Sequence, residues 1–218
     1  MKQLLLDFPV ACPSLDNFVA GRNQELLAQL HELAGARAPE RMVYLWGEEG
    51  CGRTHLLRAC AEAASGIYVS CGEAQEFDFE SAFVAVDDVG NLGEEGQIAL
   101  FHLYNRLKEG GGILLASGDA PPSIMNLRED LATRLGWGLV YQIHLLSDEE
   151  KREALHARAR AKGFEISVEV VEYLMHHMRR DLPTLLKMLD ALDEFSLEAK
   201  RAITIPMLKQ VIERMKCA

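Results

Sequence analysis

The residues Gly47-Glu48-Glu49-Gly50-Cys51-Gly52-Arg53-Thr54 have the types and spacing needed to hold a polyphosphate. Glycines let a short loop turn tightly and bring several main-chain N–H groups onto one anion. A helix begun directly after them aims its positive end at that anion. Thr54 can set its hydroxyl on magnesium, and Arg53 stands where the pattern G-x-x-x-x-G-K-[ST] has lysine. Arginine keeps the positive charge but spreads it over a bulkier planar fork. We therefore expect Gly47, Gly50, Cys51, Gly52, Arg53, Thr54 and His55 to bind the phosphates of a nucleoside di- or triphosphate with Mg2+, and hydrolysis in this site to be impaired. A glycine-rich strand-to-helix turn without a ligand is the alternative.

A second acidic element follows. The apolar run Phe83-Val84-Ala85-Val86 leads into Asp87-Asp88. A buried strand that ends in adjacent carboxylates is a place to hold magnesium and orient an attacking water. Asp87 is the expected metal-side carboxylate and Asp88 the water-side one. Cys51, close to loop amides and Arg53, could be a reactive thiol, but a small loop residue there needs no role.

Such residues need a scaffold that lines up strand ends. Short apolar runs predict strands over 42–46, 67–70, 83–86, 113–116 and 140–143. Helical spacing fits 23–34, 53–64 and 96–108, the last stopped by Gly110, Gly111 and Gly112. Strands alternating with helices imply an α/β fold, a parallel sheet with helices on both faces. The pattern changes at Ser147, where Ser147-Asp148-Glu149-Glu150 forms a capping box. Helices are then expected to about 162, over 167–180 with Ser167 as cap, from Asp181 through 190, and from Thr204 and Pro206 to the end. The expected division is an extended tail over 1–17, an α/β nucleotide-binding domain over 18–147 and a small all-α lid over 148–218.

Composition narrows the function classes. The net charge is −10, so the chain lacks the overall basic balance that direct duplex binding draws on. No apolar run approaches the roughly 20 residues that span a bilayer, and the N-terminus is too short and acidic for a secretory signal. A cytoplasmic protein with reduced thiols is expected, since the five cysteines include no C-x-x-C pair. The seven histidines show no metal spacing, and His176-His177 reads as an exposed helix pair.

Phe18-Val19-Ala20-Gly21-Arg22-Asn23, the phosphate loop, Val86-Asp87-Asp88 and Arg134-Leu135-Gly136-Trp137-Gly138 occur in the order found in the DnaA-type AAA+ ATPases, which the chain resembles over about 18–218. The resemblance implies that Arg134 is an arginine finger acting in trans on a neighbouring subunit's nucleotide, with Trp137 packed beside it. It implies a polar sensor at the end of the fourth strand, with Ser117 and Asp119 both candidates. It also implies a sensor arginine in the small domain, where this sequence has Pro183, with Arg179 and Arg180 nearby but out of register. The chain ends where DnaA would continue into its DNA-binding domain. Gln3-Leu4-Leu5-Leu6-Asp7-Phe8 fits the Q-L-x-L-x-[LF] pattern of peptides that dock on the DNA polymerase sliding clamp. As an extended segment it places Leu4, Leu6 and Phe8 on one side, with Gln3 for directional hydrogen bonds.

Together these features imply a regulator of replication initiation. It binds the clamp through Gln3, Leu4, Leu6 and Phe8, reaches DNA only through the clamp, and in an ADP-bound form stimulates hydrolysis of DnaA-bound ATP. A homo-oligomer is left open. An autonomous ATPase such as a helicase loader, or a nucleotide-independent clamp adaptor, are the competing readings.

Overall fold

Strict alternation of side chains decides the architecture. In the strand β1 (Met42–Trp46), Val43 and Leu45 enter one apolar cluster while Met42 and Tyr44 enter another. The strands β3 (Phe83–Asp87) and β4 (Ile113–Gly118) behave likewise, Ala85 and Leu115 on the first side, Val86 and Ala116 on the second. A strand buried on both faces must be covered by helices on both. With β2 (Ile67–Ser70) and β5 (Leu139–Gln142), the five strands form one parallel sheet in the order β2-β3-β4-β1-β5. Helices α1 (Gln24–Ala34) and α2 (Arg53–Ala63) contribute to the first cluster; α3 (Glu94–Gly110) and α4 (Glu129–Trp137) contribute to the second. The expected α/β class is what the structure shows.

This computed structural model describes residues 12–72, 77–199 and 201–216. The expected clamp motif, Gln3 to Phe8, lies outside the described residues.

The chain forms two compact units, and the first is Cys12–Leu145. Its opening residues are not an extended tail: Leu15 is buried in the first cluster, and Ser14 and Asn17 exchange two hydrogen bonds across a turn. Helix α3 stops at Gly111, whose φ of 67° is the left-handed conformation that suits glycine after a helix end.

The second unit includes Leu146–Ala218 and has its own core, centred on Leu155, Leu174, Leu189 and Leu208. Its helices are α5 (Asp148–Ala161), α6 (Val168–His177), α7 (Leu182–Ala199) and α8 (Ile205–Lys216). The Ser147–Glu150 capping box is formed in both directions. Asp181 accepts from the Thr184 amide at 2.9 Å and caps α7. Ser167 occupies the cap position of α6, but its hydroxyl accepts no helix amide. Among the described residues no helix is long and apolar enough to cross a membrane.

Candidate functional site

The sheet order puts β1 between β4 and β5, with β3 beyond β4, so the loops after these strands open at one sheet edge. The phosphate loop joins β1 directly to α2. Gly50 and Gly52 have φ of 82° and 102°, in the left-handed region that only glycine adopts freely. A methyl group on Gly52 would also stand 2.7 Å from the Phe18 ring, and one on Gly47 would stand 2.6 Å from the Ile143 carbonyl oxygen. The motif's glycines are thus fixed by backbone conformation and by close neighbours.

The first turn of α2 carries no acidic residue and no side-chain cap. Its first ordinary helical bond runs from the Leu56 amide to Gly52. Among the described residues, the amides of Gly52, Thr54 and His55 donate to no main-chain acceptor, and the Arg53 amide lies against the Cys51 thiol. Unpaired donors at a helix start are satisfied by water, caps or an anion. Arg53 adds a further donor: its side chain is only 14% exposed, Nη2 lies 3.3 Å from Asp88 Oδ1, and Nη1 is buried without a partner. A buried orphan guanidinium nitrogen beside free amides fits an anionic phosphate chain.

The two carboxylates differ. Asp87 is buried at the end of β3, accepting from Ser117 Oγ at 2.5 Å and Tyr68 Oη at 2.8 Å. Asp88 is partly exposed, has φ of 56°, and its amide donates to Ser117 Oγ at 3.1 Å. Burial, then the neighbouring Asp87 charge, hold the Asp88 carboxyl above its ordinary range despite Arg53. The register explains the pairing: Val86 opposes Ala116, so the next residues, Asp87 and Ser117, face each other. Ser117 is therefore the strand-end residue tied to the acidic pair, while Asp119 is exposed beyond the strand. Ser117→Ala should lower stability by about 1–3 kcal/mol in urea unfolding, because it strips a partner from the Asp87 carboxylate and from the Asp88 amide together.

Two expectations change in detail, and two further residues gain a role. The His55 ring does not face the loop's ligand side but contacts the Ser14 carbonyl oxygen at 3.0 Å and packs against Phe18, leaving its main-chain amide as its contribution to the site. Cys51 is buried, and burial pushes its thiol up, so it is protonated at neutral pH rather than a reactive thiolate. Tyr68 was not singled out, yet its hydroxyl, pushed up to about 12 chiefly by burial, is a fixed donor to Asp87. The alternation of β2 places Tyr68 and Ser70 on one side of the sheet, and that was the available signal. Asn23 closes the Phe18–Asn23 motif. Its buried amide makes two hydrogen bonds with the His144 main chain, at 2.8 and 2.9 Å, fixing the start of α1 to the segment after β5.

Arg134 stands apart from this loop, on α4. Its guanidinium carbon lies 4.3 Å from the centre of the Trp137 ring and 5.8 Å from that of Phe101. These residues line a shallow depression of about 660 Å³ together with Arg128, Glu129, Asp130 and Thr133. Trp137 is 59% exposed, so it lies beside Arg134 as expected without being a core residue. In the helical unit, Pro183 is in the first turn of α7, Arg179 pairs with Asp181 at 3.3 Å, and Arg180 pairs with Asp148 at 3.2 Å.

Comparisons with known proteins agree with this arrangement. Residues 148–212 match the family described as the Hda lid domain, and residues 73–142 match the bacterial DnaA ATPase domain. The chain belongs to the DnaA-type AAA+ family. An uncharacterized protein of Haemophilus influenzae is 35% identical over 215 residues, covering 91% of this chain and 93% of its own. Domain III of the Thermotoga maritima replication initiation protein DnaA superposes with a TM-score of 0.73 at 17% identity, covering 94% of this chain and 98% of that one. AMPPCP-bound DnaA from Aquifex aeolicus gives 0.71 at 21% identity, over 88% of this chain and 68% of that one. The Thermotoga maritima RuvB Holliday junction branch migration motor gives 0.68 at 16% identity, over 92% and 71%. These likenesses define an AAA+ fold, and the lid match places this DnaA-type chain beside Hda among replication-initiation AAA+ proteins.

Proposed function

We propose that this protein is a clamp-tethered regulator that turns off DnaA by supplying an arginine to DnaA-bound ATP. The observation that carries the reading is the state of Arg134. It is a half-exposed guanidinium on a short helix, resting on aromatic rings, with no ion pair among the described residues. An arginine kept free of carboxylates can place charge on a phosphoryl group in transfer, which is how fingers in trans act.

The protein's own P-loop holds ADP or ATP in this reading. The Gly52–His55 amides and Arg53 face the phosphates, and Gly47, Gly50 and Cys51 shape the loop. Thr54 and Asp87 would hold Mg2+, which neutralises phosphate charge, with phosphate oxygens and water completing its shell. Asp88 is engaged by Arg53, and Ser117 holds the acidic pair in place. This supports a bound nucleotide, ADP in the working form, that sets conformation rather than one that is turned over. Arg179 and Arg180, each paired within the helical unit, are poor stand-ins for the sensor arginine that Pro183 replaces.

The test is hydrolysis of DnaA-bound ATP in the presence of clamp-loaded DNA. Full-length protein should accelerate it strongly while turning over little ATP alone. Rapid turnover by the isolated protein, without effect on DnaA, would establish an autonomous ATPase instead. Gln3→Ala with Leu4→Ala should abolish clamp binding in a pull-down and remove the stimulation, with the nucleotide content of the protein itself unchanged. Intact clamp binding in that variant would remove the tail from the proposal.

A further inference from the structure

Arg134 is not the only cation at the exposed tryptophan. Lys108, near the end of α3, has its ammonium 5.0 Å from the centre of the Trp137 ring and 5.7 Å from that of Tyr104. Neither Lys108 nor Arg134 forms an ion pair among the described residues, although the chain has 33 acidic residues against 23 basic ones. The contrast is local. Arg128, which with Glu129 and Asp130 lines the depression beside Arg134, is paired with both Asp130 and Glu94.

The difference has a physical meaning. A carboxylate that fixes a guanidinium also neutralises it and occupies its N–H fork. An aromatic face attracts the cation but leaves the in-plane donors open. Two cations over one ring repel each other, so the arrangement favours a ligand that carries several negative charges close together. A polyphosphate chain does so, and an isolated carboxylate does not.

We propose that Trp137 is a positioning residue that holds Arg134 in place with its donors free, and that Lys108 shares the ring as a second cation facing the same partner-borne triphosphate. This rests on the reading of Arg134 given above. Trp137 sets the direction of the fork, and Lys108 raises the affinity for the anion.

Three variants of the full chain test it: Trp137→Ala, Trp137→Phe and Lys108→Gln. In hydrolysis of DnaA-bound ATP, Trp137→Ala should lower kcat about thirtyfold, the scale of a cation–π contact that docking on DnaA desolvates, with KM for DnaA within about twofold. Trp137→Phe keeps a π face and should recover to within about threefold of the parent protein. Lys108→Gln should raise KM about fivefold with kcat little changed, the expected split for a group that binds without acting in the transition state. A readout independent of activity is the Arg134 Nε–H resonance, which the ring displaces upfield and which Trp137→Ala should return to its ordinary position. An unchanged resonance together with an unchanged kcat overturns the positioning role. An unchanged KM in Lys108→Gln overturns the second cation. Should Arg134→Ala itself leave hydrolysis unaffected, the regulatory reading fails, while the resonance still decides whether the ring holds the arginine.

Discussion

Arg134→Ala should reduce the stimulation of DnaA-bound ATP hydrolysis roughly 10³-fold, the lower end of what a finger acting in trans supplies. The loss belongs in kcat, because the charge acts on the transition state more than on the docked ground state. Folding should be almost untouched: Arg134 makes no ion pair among the described residues, and its side chain lies mainly on the exposed Trp137 ring, with the partly buried Phe101 farther off. The thermal midpoint and the nucleotide extracted from the protein should therefore match those of the parent. Arg134→Lys is the sharper variant. It keeps a positive charge and much of the attraction to the Trp137 ring, but an ammonium lacks the planar fork that meets two phosphate oxygens at once. It should recover less than a tenth of the lost rate. Full activity in either variant, with clamp-loaded DNA present, would show that DnaA hydrolysis is driven by another group.

The strands were legible because each is a short apolar run bounded by turn or charged residues, and the structure moves their ends by only a residue or two. The phosphate loop was legible for a related reason: its glycines and its strand-to-helix setting are local features. What the sequence did not disclose depends on which segments become neighbours. Ser117 and Asp119 could not be told apart until the β3–β4 register set Asp87 against Ser117. The Arg53–Asp88 pair and the packing of Phe18 on Gly52 and His55 join residues from distant parts of the chain. Helix α4 was missed although it carries Arg134. It has nine residues, buries only Leu131 and Leu135, and includes Gly136, so its helical period is weak. The helix exists because those two leucines complete the cluster under α3 and β1, a tertiary reason that local propensity does not carry.

Gly138→Ala should be the most damaging small substitution in the Arg134–Gly138 stretch, lowering the stability of the α/β unit by about 3 kcal/mol or more. Its φ of −84° is open to any residue, so the backbone itself is not the obstacle. The obstacle is β1: a methyl group on Gly138 would collide with the Met42 carbonyl oxygen and stand 2.7 Å from its carbon. Met42 cannot retreat cheaply, since β1 is paired on both sides, with β4 and β5, and the Met42 amide is held by Glu40 at 3.0 Å. Gly136→Ala is the matched control. Nothing lies within 4 Å of a methyl group there, and the position is helical, so alanine should be neutral or stabilise by up to about 1 kcal/mol. Both tryptophans, Trp46 and Trp137, lie in the α/β unit, so intrinsic fluorescence in a denaturant titration follows this unit and not the helical one. Equal midpoints for the two variants would refute the assignment. The predicted gap between them divides the motif by role: Gly138 lets β5 enter close beside β1, and this anchors the end of the helix on which Arg134 and Trp137 are displayed.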